Sequence, residues 1–184
     1  MEYINKNPKI FIISGKARSG KDEVAAIIKD YYQNKKCKKL SYAYYLKQYV
    51  KKITGWDGSE ETKPRDLLQN MGTNFLAEKI DKHFLIKRMC EDINIYSYFY
   101  DVIIITDARL VDEIEIPKNK FSNVITIRVS RNFDNQLTKE QKDHITETGL
   151  DDYQRFDYII DNNENYGELI DNVKNVLDEV NNYE

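Results

Sequence analysis

Residues 15–22 read Gly-Lys-Ala-Arg-Ser-Gly-Lys-Asp, the spacing G-x-x-x-x-G-K with aspartate where serine or threonine ordinarily follows. The chain has only seven glycines, and two of them bound this stretch. Before it lies the apolar run KIFIIS, which the pattern predicts as a buried strand; after it Val24, Ile27, Ile28 and Tyr31 recur at helical spacing from about Asp22. Strand, glycine-bounded loop and helix in that order turn successive backbone N–H groups inward, where they hold phosphate oxygens with the help of the helix dipole. Gly15, Lys16, Ala17, Arg18, Ser19, Gly20, Lys21 and Asp22 are therefore the candidate phosphate-binding residues. Lys21 has the reach to offset charge on β- and γ-phosphates, whereas Lys16 and Arg18 either add charge to the loop or face solvent. A carboxylate beside a polyphosphate is repulsive unless a cation intervenes. Asp22 thus reads either as a direct or water-mediated Mg²⁺ contact or as an acid favourably placed at a helix start.

The rest of the chain alternates short apolar runs with helical patterns. Further strands are predicted at residues 39–42, 101–106 (DVIIIT), 124–129 (VITIRV) and 158–160. Helices are predicted over residues 44–53, from Pro64 with Leu68, Met71 and Phe75 on one face, over residues 83–93, and at the end of the chain. That closing helix carries Leu169, Ile170, Val173, Val176, Leu177 and Val180 as a stripe. Strands with continuous apolar runs, separated by helices, predict a parallel sheet covered on both faces. The polar segment 131–155 is too long for an idle connection and is expected to be a mobile lid.

Several residues outside the loop have chemistry to offer. Asp107 ends the strongest apolar strand, at the sheet edge where ligands gather in open α/β folds, and is placed to orient Mg²⁺ or its waters. Its alternative is a helix cap. Arg109, two residues on, could clamp an acceptor phosphate bidentately or pair with Asp112 or Glu113. Arg65, just after Pro64, could hold an acceptor monophosphate or pair locally with Asp66. Gln69 and Thr73 share a helical face from which polar groups could read a base edge. Arg128, inside a strand, reads as structural. His144 and Glu147 stand at i, i+3 without a third ligand, weak grounds for a metal.

Charge and composition narrow the partners. With 28 Lys and Arg against 31 Asp and Glu, the net charge is −3, which gives no footprint for a nucleic-acid polymer. No apolar window is long enough to span a membrane. The run at Ile10 is too short for a signal peptide, and Cys37 and Cys90 match no metal or redox spacing. A cytoplasmic protein with reduced thiols is expected.

Taken with these residues, SGKARSGKD resembles the phosphate loop of phage-type deoxynucleoside monophosphate kinases, in which aspartate at that position is usual. The stretches SYAYYLKQ, RDLLQNMGTNFLAEKI, ITDARLVDEIE and HITETGLDDYQRFDYIIDNN extend the resemblance over most of the chain from Ile10. Animal-type phosphomevalonate kinases share the SGKD loop, the D-x-R segment and an E-x-G-L-D element. Residues 67–73 (LLQNMGT) favour the nucleotide kinases. The resemblance implies one P-loop kinase domain over residues 1–184: a five-stranded parallel sheet with helices on both faces, an acceptor-binding helical region at about 44–95 and a lid at about 131–155. It implies ATP and Mg²⁺ as cofactors and a deoxynucleoside monophosphate as acceptor, with homodimerisation left open. By the same resemblance Arg131 bears on the transferring phosphate, Glu147 is a lid residue on the substrate side, and Asn162 with Asn163 lies near the adenine. The alternatives are a phosphomevalonate-type kinase and a non-catalytic nucleotide-binding module.

Overall fold

A computed structural model describes residues 3–132 and 138–182. Five strands, β1 (Lys9–Ser14), β2 (Cys37–Leu40), β3 (Val102–Ala108), β4 (Val124–Ser130) and β5 (Tyr158–Asp161), form one sheet in the order β2-β3-β1-β4-β5, with every pairing parallel. All five expected strands are present. The second lies two residues earlier than expected, over the stretch CKKL at the sheet edge, which buries only Leu40.

Alternation along the central strands divides the core in two. Phe11 and Ile13 face one side, with Val102, Ile104, Ile127 and Ile160, where α1 (Lys21–Tyr31) and α8 (Tyr166–Asn182) cover them. Ile10 and Ile12 face the other side, with Ile103 and Ile105, beneath α4 (Phe84–Tyr96) and α5 (Val111–Lys120). Continuous isoleucine runs are thus the mark of strands buried on both faces, each side chain contributing about 1.5–3 kcal/mol by leaving water.

A third, smaller core lies off the sheet, where Leu46 and Val50 of α2 (Tyr44–Thr54) meet Leu68 of α3 (Arg65–Asn70) and Leu76. The helix expected from Pro64 starts there, but past Asn70 it widens into a π-helical segment, Met71–Ile80. The wider turn rotates the apolar face, so Leu76 is buried and Phe75 is half exposed. No helix among the described residues is long and apolar enough to cross a membrane.

Two short helices, α6 (Lys139–Asp143) and α7 (Ile145–Thr148), occupy the segment expected to be a lid; its residues 133–137 lie outside the described ones. The later part of that segment is seated on the body, with Leu150 3% exposed in the second core and Tyr153 packed against it beside Phe156, just past the segment.

Candidate active site

Because all the strands run parallel, their C-terminal ends lie along one edge of the sheet, and each end feeds a polar segment into the same region. β1 leads into the phosphate loop, β2 into Ser41, β3 into Arg109, β4 into Arg131 and β5 into Asn162. Strand order reverses around β1, which is flanked by β3 and β4, and open α/β sheets take ligands at such a point. Opposite Ile12 to Ser14 the register of β3 shifts by one residue. The bulge places Asp107 within the strand rather than after it, a local re-aiming common beside active sites.

The loop has the shape its sequence predicts. Gly20 takes φ +100°, a left-handed conformation that favours glycine, and a Cβ there would lie 2.2 Å from Asn162 Nδ2. At Gly15 a Cβ would stand 2.4 Å from Ser19 Oγ and 2.7 Å from the Val129 carbonyl, so only glycine lets the loop close this tightly. The Ser19 hydroxyl is buried and, among the described residues, has no hydrogen-bond partner. Such an orphan needs an explanation, and a ligand oxygen supplies one. The Ala17 N–H already holds an anionic oxygen, Glu147 Oε2, at 3.0 Å. An orphaned hydroxyl, a glycine-only curve and an amide holding an anion together fit the phosphates of ATP. Asn162 Nδ2 donates to the Ser19 carbonyl at 2.9 Å, so Asn162 buttresses the loop from behind, and Asn163 accepts from the Asn132 N–H.

Lys21 Nζ donates to the carbonyls of Gly15 and Lys16 at 2.8 and 2.6 Å. Burial, with Arg109 and Arg128 nearby, lowers its pKa to about 8 against the opposing pull of Glu147 and Asp22. Arg109 is the second convergent cation: Nη1 donates to the Thr146 carbonyl at 3.1 Å and pairs with Glu147 Oε1. Its backbone N–H donates to buried Glu113 at 2.6 Å, as does that of Leu110 at 3.0 Å. Burial raises the Glu113 carboxyl to about 7, although these two N–H groups oppose the shift.

Arg128, Asp151, Ser14 and Glu113 are members of the site that the sequence reading did not assign to it. Arg128 pairs in register with Ser14, the last residue before the loop, donates to Ser14 Oγ at 3.0 Å, and reaches Asp151 at 3.3 Å. Asp151 also pairs with Lys16 at 2.9 Å. One signal was available: Arg128 occupies the C-terminal end of a strand adjacent to β1.

The two carboxylates expected at Mg²⁺ stand differently. Asp107 accepts from Ser41 Oγ (2.6 Å), Tyr42 N (2.8 Å) and Ala43 N (3.0 Å), and so ties the start of α2 to β3. A metal role for Asp107 competes with these three bonds. Asp22 lies in the first turn of α1, mostly exposed and paired with Lys39. Among the described residues no group of three or more His, Cys, Asp or Glu could hold a metal. Mg²⁺ in phosphoryl-transfer sites usually rests on one or two carboxylates plus phosphate oxygens and waters, and Asp22 suits that pattern.

Of the residues expected on the acceptor side, Arg65, Gln69 and Thr73 form a separate group, while Arg109 and Glu147 stand at the phosphate loop. Arg65 and Lys63 both pair with Glu60, at 3.1 and 2.7 Å, beside a cavity of about 350 Å³ lined by Lys63, Pro64, Arg65, Asp66, Leu67 and Gln141. Gln69 touches α7 at Thr146 Oγ1, 3.5 Å away, while the Thr73 hydroxyl turns back to the Gln69 carbonyl. His144 accepts from the Thr146 N–H through Nδ1, a helix-start contact. Arg131, exposed, directly follows β4.

A family model described as deoxynucleotide monophosphate kinase matches residues 50–173. That span holds Arg65, Asp107, Arg109, Arg131 and Glu147, and begins after the phosphate loop. No curated protein sequence matches. Among solved structures, shikimate kinase from Bacteroides thetaiotaomicron is 16% identical with a TM-score of 0.56, covering 95% of this chain and 98% of that one. Dephospho-CoA kinase from Campylobacter jejuni is 13% identical with a TM-score of 0.53, over 95% and 98%. The APS kinase of Mycobacterium tuberculosis, solved in complex with AMPPNP and APS, is 10% identical with a TM-score of 0.51, over 93% and 98%. At such identities these likenesses speak to the fold alone.

Proposed function

This chain belongs to the deoxynucleotide monophosphate kinase family, and from that premise we propose that it transfers a phosphoryl group from ATP to a deoxynucleoside monophosphate, giving the diphosphate and ADP. Family and fold make it a phosphotransferase of the P-loop kinase type; the acceptor is our reading. One observation carries it: a loop amide, Ala17 N–H, and a guanidinium from the neighbouring strand end, Arg109, meet on a single carboxylate. A module that only bound nucleotide would need the loop but no such second cation.

Bound Mg·ATP supplies the transferable phosphoryl group and the metal's share of charge neutralisation. The chain's residues do the rest by position. The loop amides other than that of Ala17, which Glu147 holds, would take the donor phosphates together with Lys21; the orphaned Ser19 hydroxyl would donate to one of their oxygens, and Asp22, released from Lys39, would hold Mg²⁺. Arg109 takes the acceptor phosphate, and Arg131 meets charge at the moving group from the end of β4. Arg65, Gln69 and Thr73 line the acceptor side, and the α6–α7 segment keeps water out. No covalent intermediate with the protein is required, since alignment and electrostatics are sufficient for this reaction.

The test is a coupled ADP-release assay with dAMP, dGMP, dCMP, dTMP and phosphomevalonate as acceptors. At least one deoxynucleoside monophosphate should drive release. Release with phosphomevalonate alone would transfer the reading to that class, and ATP binding without release on any acceptor would leave a binding module.

A further inference from the structure

Two carboxylates one turn apart, Glu147 and Asp151, are inserted among the cations of the phosphate loop. Glu147 uses both oxygens: Oε2 accepts from Ala17 N–H at 3.0 Å and Oε1 pairs with Arg109, whose Nη1 also reaches the Thr146 carbonyl. Its side chain is 9% exposed. A carboxylate so buried is tolerable only when its partners are in place. Asp151 spans Lys16 and Arg128 at 2.9 and 3.3 Å.

The backbone that delivers them is fixed to the body. A Cβ on Gly149 would lie 2.7 Å from the Ile145 carbonyl and 3.0 Å from that of Arg109, so the two segments touch with no room between them. Leu150 is 3% exposed, in the same core as Ile105 and Ala108. Withdrawing Glu147 with its segment would unseat Leu150 and open that contact.

Charge gives the arrangement a purpose. Without acids between them, Lys16, Arg109 and Arg128 would repel one another and Lys21 and turn toward water. We propose that Glu147 and Asp151 are positioning residues for phosphoryl transfer. Glu147 holds the Arg109 guanidinium against the loop at Ala17, Asp151 holds Lys16 and Arg128, and the donor site stands assembled before nucleotide arrives. The kinetic part rests on the transfer reading above; the assembly of the free loop does not.

The decisive variant is Glu147→Gln, nearly isosteric, which must turn an NH₂ toward Ala17 N–H or Arg109. We expect kcat to fall about tenfold or more while KM for ATP moves less than about threefold. In the nucleotide-free protein, amide exchange at Ala17 should accelerate about tenfold with the β1 and β3 amides unchanged, a local opening that general destabilisation would not produce. Asp151→Asn, at a more exposed position, tests the same idea without disturbing a buried acid, with a kcat loss of about threefold. A kcat loss under about fivefold in Glu147→Gln, or unchanged Ala17 exchange, overturns the proposal. AMPPNP bound about tenfold more tightly by that variant also overturns it, because the carboxylate would then compete with nucleotide. If the wild-type protein transfers phosphate to no acceptor, the transfer reading falls, while Ala17 exchange and AMPPNP binding still decide whether Glu147 holds the loop.

Discussion

The proposed donor side and the proposed acceptor side of this site are built in different ways. On the donor side, polar contacts run between elements far apart in sequence: Ala17 to Glu147, Lys16 to Asp151, Ser19 to Asn162, all resting on a sheet buried on both faces. On the acceptor side, partners at Arg65 and Thr73 are local, and the one long reach of that helical group is Gln69 to Thr146, 77 residues away at 3.5 Å. Arg65 and Lys63 share Glu60, and Thr73 bonds the carbonyl four residues back, over a core of Leu46, Val50, Leu68 and Leu76. Long-range cross-links on a rigid layer preorganise a site. Short-range pairs on a small helical core leave room for adjustment around a substrate. Under the proposed function, the difference assigns rigidity to the donor side and adaptability to the acceptor side.

Removing the donor side's central cation should have the largest effect. Lys21→Ala is expected to lower kcat about 10²–10³-fold or more with the fold retained, checked by steady-state assay and circular dichroism. Turnover near wild type would erase the distinction between the two sides. Arg65→Ala should act only on the acceptor side, raising KM for the monophosphate about tenfold while KM for ATP stays within about twofold. Equal shifts in both would show the two sides to be one unit.

pH sharpens the comparison further. With its pKa near 8, Lys21 loses its charge above that pH in the free enzyme, so kcat/KM for ATP should fall above about pH 8. Because its folded pKa lies below the ordinary 10.5, the protonated lysine opposes folding below pH 8, a cost that disappears between about 8 and 10.5. Glu113 gives the smallest effect. Its folded pKa, about 7, lies above the ordinary 4.5, so its contribution to stability falls as pH rises from 4.5 to 7. Glu113→Gln should flatten that part of the Tm–pH curve, by about a few degrees.

How legible each part was follows from the same contrast. Isoleucine-rich strands announce themselves through continuous apolar runs, and the phosphate loop through its two glycines. The π-helical segment does not, because a turn wider than the usual 3.6 residues defeats the spacing that assigned Phe75 to the buried face. Asp151 was invisible as a site member because its partners are 135 and 23 residues away and no local pattern links them. Asp107 could be placed at the strand end, yet its bonds to Ser41, Tyr42 and Ala43, 64 to 66 residues away, depend on how β2 and β3 lie together. Of the segment expected to be a lid, the sequence conveyed the polar length but not the anchoring by Leu150.

The most direct measurement is to incubate the protein with ATP labelled at the γ-phosphate and each deoxynucleoside monophosphate, then to separate the products. Label in a deoxynucleoside diphosphate with the wild-type chain, and none with Lys21→Ala, is the predicted result. Label found only in ATP or in free orthophosphate, whichever monophosphate is supplied, would contradict it.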